Sequence, residues 1–89
     1  MGRMEPDPTQ PSPYNETVRA YARDLLGYLN KPGGTVPGGF TTKLFELWAK
    51  ADFVNKAIIA QGWPFLGVVL VANDQGGEAA VRDIAGIPA

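Results

Sequence analysis

Glycine and proline cut this chain into pieces with room for only short elements. The breaks fall at Pro32-Gly33-Gly34, Pro37-Gly38-Gly39, Gly62-Trp63-Pro64, Gly76-Gly77 and Gly86-Ile87-Pro88, and each combination ends a helix, starts one, or turns the chain. Between the breaks the apolar residues recur at three and four. Val18, Tyr21, Ala22, Leu25, Leu26 and Leu29 form one stripe, with Asn15 as its N-cap and Glu16 in the first turn, where the helix dipole favours a carboxylate. Phe40, Leu44, Phe45, Leu47, Trp48 and Ala51 form a second, broad apolar face, capped by Gly39 or Thr41, with Phe40 dropping into the core. Glu46 and Lys50 stand four apart on its wet side in the favourable order for an ion pair. Asp52 caps a third helix over residues 53–61, with Phe53, Ala57, Ile58 and Ala60 or Gln61 at the turn spacing.

Pro64 suits the first position of a further helix, but the run Phe65 to Ala72 has no polar residue to set a period. Its β-branched residues suit a strand as well. Helix is the preferred reading, because a lone strand has no partner elsewhere in the chain and would leave its backbone groups unpaired. The run is also far shorter than the ~20 residues needed to span a bilayer. Residues 73–77 read as a turn and Glu78 to Ala85 as a last short helix. The expectation is an all-α single domain of four to five short helices over residues 14–89. Residues 1–13 precede it as a disordered arm, since they carry Pro6, Pro8, Pro11 and Pro13 and almost nothing large and apolar.

The segment Gly34 to Thr41 has the spacing of a phosphate-binding loop but places Phe40 where the lysine belongs. It also follows a helix where such a loop follows a strand. It therefore reads as a connector, and no nucleotide or other cofactor is expected. The order helix, Pro37-Gly38-Gly39-Phe40, then a helix ending Ala51-Asp52 with Asn55 three residues on, resembles a pattern in small uncharacterised helical proteins of actinobacterial phages and prophages. The resemblance covers about Leu25 to Pro64 and departs after Pro64, where charged helical residues would be usual. It implies a helical fold and a phage accessory role, and brings no catalytic residues. The prolyl, acidic N-terminus without the apolar core of a signal peptide sets the expectation of a cytoplasmic location, the host's if the chain is phage-encoded.

The 89 residues include no cysteine and no histidine, which removes thiolate chemistry and the commonest general base and metal ligand. Ser12, the single serine, lies in the arm. Asp24, Asp52, Asp74 and Asp83 sit at helix ends or faces, where capping and solvation explain them. Asn73-Asp74-Gln75-Gly76 lacks the alternating ligands of a calcium loop. No enzyme activity and no metal site are expected. Tyr14, Tyr21 and Tyr28 fall close to one face of the first helix and are expected to pack there.

The positive signal is apolar surplus. Ile58 to Ala72 carries no charge, more than a fold this small can cover on every side. Function is therefore expected by protein–protein contact, through self-association into a homo-oligomer or by binding a host protein, with Trp63, Phe65, Val69 and Leu70 as the contact residues. The alternative is a nucleic-acid-binding regulator with a helix-turn-helix-like pair at 40–61, using Arg19, Arg23 and the lysines; a net charge of −1 gives it little field.

Overall fold

The computed structural model describes residues 14–88, and these form four helices and no strand: α1 (Glu16–Tyr28), α2 (Gly39–Lys50), α3 (Phe53–Gly62) and α4 (Pro64–Ala85). The all-α expectation holds, and the apolar run after Pro64 is helix. The proline-rich arm lies outside the described residues. None of the described helices is long and apolar enough to cross a membrane.

The core is built mainly where α1 packs along α4. Val18, Ala22, Leu25 and Leu26 of α1 meet Leu66, Val69, Leu70, Val81, Ile84 and Ala85 of α4 in one buried cluster, to which α2 adds Leu44, Phe45 and Trp48 and α3 adds Ile59. Asn15 caps α1 as its sequence implies, its side-chain oxygen accepting from the Val18 N–H at 2.9 Å. Tyr21 and Tyr28 pack against the core, Tyr28 with its ring 5.2 Å from that of Phe45; Tyr14 precedes the helix and stays exposed.

After α1 the chain reverses through Asn30 and Gly33, both at positive φ, and the connector runs back along the helix it has just left. The Thr35 N–H donates to the Arg23 carbonyl at 3.0 Å and the Thr35 hydroxyl to Asp24 at 2.6 Å. This approach needs two glycines. A Cβ on Gly27 would stand 1.7 Å from the Thr35 carbonyl oxygen, and one on Gly34 2.1 Å from the Gly27 nitrogen. The glycine-rich segment is thus a connector seated against the last turns of α1.

Three local expectations are corrected. The N-cap of α2 is Gly38, ahead of both Gly39 and Thr41; it has no side chain to cap with, and the Thr42 N–H and hydroxyl both donate to its carbonyl at 2.9 Å. Phe40 does not enter the core: it is 66% exposed, because Leu44, Phe45 and Trp48 fill the inward side of α2 and leave Phe40 and Leu47 on its flank. On the wet side Glu46 pairs with Lys43 at 3.5 Å rather than with Lys50.

Asp52 does cap α3, accepting from the Asn55 N–H at 2.8 Å, but the helix is rolled away from its expected face. Ile59 is buried, while Phe53, Ala57 and Ile58 are exposed. The cause lies at both ends and in the middle. Two residues, Ala51 and Asp52, join α3 to α2, and Trp63 alone joins it to α4. Ala60 packs so closely on Gly67 of α4 that a Cβ there would lie 2.8 Å from the Ala60 methyl. The turn read over 73–77 shrinks to one residue, Gly77, whose φ of 67° and ψ of −157° interrupt α4 without ending it. Gly86 in the left-handed region closes the helix as expected.

Replacing Gly27 with alanine should lower stability by about 2 kcal/mol or more, the cost of forcing backbone apart in a packed region. The control, Gly39→Ala, fills open space in the first turn of α2 and should raise stability by up to about 1 kcal/mol. Urea midpoints of the two variants, read at a common m-value, check both.

Candidate functional site

Of the four residues singled out as contacts, the structure keeps two on the surface. Trp63 is 37% and Phe65 48% exposed, whereas Val69 and Leu70 are 0% and 2% exposed. The correction is geometric: Leu66, Val69 and Leu70 stand three and four apart on the side of α4 that meets α1, so the innermost part of the chargeless run is core. Val68 and Val71 point the other way and remain exposed.

The surplus apolar surface lies instead on α2 and α3. Phe40 and Leu47 are seven residues apart on α2, and Val54 and Ile58 four apart on α3, so each pair shares one flank of its helix. All four are more than half exposed. Trp63, at the α3–α4 junction, ties them together: its ring centroid is 6.1 Å from that of Phe40. Between the helices runs a shallow groove of about 330 Å³ lined by Leu47, Ala51, Ile58, Ile59 and Trp63, with Lys50 and Asn55 supplying its polar atoms.

A second groove of about 480 Å³ lies between α2, α3 and α4, with Trp48, Phe53, Lys56, Val71 and Asp74 on its walls. Asp74 organises it. Its Oδ2 accepts from the Trp48 indole N–H at 3.0 Å and from the Lys56 ammonium at 2.7 Å, and Lys56 stands 5.2 Å from the centre of the Trp48 ring. One carboxylate on α4 therefore holds a side chain from each of α2 and α3. No sequence signal pointed to this, since Asp74 is 26 residues from Trp48 and 18 from Lys56.

Arg82 makes a third polar cluster. Its side chain is buried and donates to Glu78 at 2.7 Å, to the Pro32 carbonyl at 2.7 Å and to the Pro88 carbonyl at 3.5 Å. The start of the connector and the segment after α4 are pinned to one guanidinium. Glu78 also meets Lys31 at 3.5 Å. The hydrogen bond from Arg82, helped by the charge of Lys31, holds the Glu78 carboxyl below its ordinary value near 4.5. Glu16 is lowered in the same way, first by the hydrogen bond from Arg23 and then by the charges of Arg23 and Arg19. Arg19 and Arg23 thus both face a carboxylate.

Among the described residues no three His, Cys, Asp or Glu side chains are grouped to hold a metal. Comparison of the chain with protein-family models, curated proteins and solved structures finds no match.

The lowered Glu78 makes a pH prediction with a fixed sign. Its ion pairs stabilise the fold at pH values above the ordinary glutamate range, and that contribution is lost as pH falls through the depressed folded value. Thermal melts should show Glu78→Gln less stable than wild type at pH 7. The difference should shrink below about pH 4.5 and vanish once Glu78 is protonated in the folded as well as the unfolded chain.

Proposed function

We propose that this protein is a small non-enzymatic module that acts by protein–protein contact, through self-association or by binding a host protein. In the setting implied by its resemblance to phage proteins, it would be an accessory protein working in the host cytoplasm. The observation that carries the reading is the apolar face of α2 and α3. Phe40, Leu47, Val54, Ile58 and Trp63 together leave roughly 500 Å² of mainly apolar surface in water. That is toward the upper end of what a monomer leaves bare, and patches of this size mark contact surfaces. Each such side chain forgoes up to about 1.5–3 kcal/mol of burial while uncovered. Covering the face recovers part of it.

Nucleic-acid binding is the weaker reading, because it needs unengaged cations. Arg19 and Arg23 pair with Glu16, Lys31 and Arg82 with Glu78, Lys43 with Glu46 and Lys56 with Asp74. Such internally neutralised pairs release few counterions from a phosphate backbone.

Ile58→Asp tests the contact. Ile58 is exposed, so the substitution should leave the helical circular dichroism unchanged while placing a charge in the centre of the face. Wild type should either assemble at tens of micromolar by sedimentation velocity or retain a protein that the variant does not. A wild-type chain that is monomeric and retains nothing the variant loses would contradict the proposal.

A further inference from the structure

The α2–α3 groove has an electrostatic feature that narrows what can cover it; the argument rests on the contact reading above and names the partner's chemistry. Lys50 lies on the groove, beside Leu47, Ala51, Ile58 and Trp63. Its own helix offers it a carboxylate four residues back, yet Glu46 is engaged by Lys43 at 3.5 Å. Every other lysine or arginine among the described residues has a carboxylate within 3.6 Å. Lys50 has none among them. A solitary ammonium at the rim of a groove whose other lining side chains are apolar except Asn55 complements a carboxylate set next to apolar side chains.

The shape narrows the partner further. Two helices joined by only Ala51 and Asp52 form the two walls, Leu47 on one and Ile58 on the other, and each wall is extended by an exposed apolar neighbour on the same flank: Phe40 two turns before Leu47, and Val54 one turn before Ile58. This is the kind of surface that takes the apolar stripe of a third helix. A second copy of the chain fits it less well. The same face of a second copy offers Lys50 no unengaged carboxylate, because its Glu46 is held by Lys43.

We infer that the α2–α3 face takes an amphipathic helix of a partner protein, whose apolar side chains enter beside Leu47, Ile58 and Trp63 and whose carboxylate pairs with Lys50. Lys50 supplies orientation and specificity, and the apolar floor supplies most of the affinity.

The test uses the full chain and a displayed library of amphipathic helical peptides, with leucine fixed at one-turn spacing and the remaining positions randomised. Selected binders should share an Asp or Glu at one position beside the leucines. Lys50→Glu should weaken them by about tenfold or more, the scale of one charge pair turned to repulsion. Changing that peptide acid to lysine should restore binding to the Lys50→Glu chain and weaken it to wild type. Binders without an acid, no restoration by the swap, or no binders at all would overturn the inference. Binding lost on Ile58→Asp but indifferent to Lys50→Glu would remove the partner chemistry and leave the contact reading standing. A homodimer that disperses on Ile58→Asp would show a second copy on the face and would also overturn the inference.

Discussion

The packing of α1 along α4 is the constraint from which the rest follows. Leu26, Leu66, Val69 and Val81 are the largest side chains sealed from water, and all four belong to those two helices. Most of the buried cluster, Val18, Ala22, Leu25 and Leu26 with Leu66, Val69, Leu70, Val81, Ile84 and Ala85, comes from that pair; α2 and α3 close one side of it. They contribute Leu44, Phe45, Trp48 and Ile59 to it. Their remaining apolar residues have no interior left to enter, and that is why the outward flanks are apolar.

Polar anchors decide where α2 and α3 sit. Asp74 reaches from α4 to the Trp48 indole and the Lys56 ammonium, so one carboxylate sets the positions of both helices relative to the core. Arg82 does the same for the chain before α2 and after α4, and the Gly27–Thr35 approach fixes where the connector leaves α1. With both sides of the α2–α3 pair held, the two short junctions at Ala51–Asp52 and Trp63 leave α3 little freedom to turn its apolar flank inward. The bare face is thus held open by the same contacts that order the fold, which gives a partner a largely preformed surface and lowers the ordering cost of binding.

Local chemistry made the helices legible from the residues alone. Asn15 and Asp52 cap as their type and position require, Pro64 starts α4, and Gly86 ends it. Facing was less legible. The six apolar residues of α2 span a broader arc than the core could accept, and nothing in their order says that Phe40 is the one left outside. In α4 the chargeless run hides its own inside and outside, so Val69 and Leu70 could not be told from Val68 and Val71 without the position of α1. Tertiary partners decided these cases, and at Gly77 a single residue interrupts the helix where the pattern suggested a whole turn. The Asp74 cluster was invisible for the same reason: its members are brought together only by folding.

The central claim is that the flanks of α2 and α3 lie in water in the isolated chain while the α1–α4 seam does not. Hydroxyl-radical footprinting of the dilute protein reads this side chain by side chain. The account predicts rapid labelling of Phe40, Leu47 and Ile58 and strong protection of Leu26, Leu66 and Val69. Phe40 and Ile58 protected to the level of Leu26 in a dilute monomer would contradict it, because the face described here would then be buried within the chain itself.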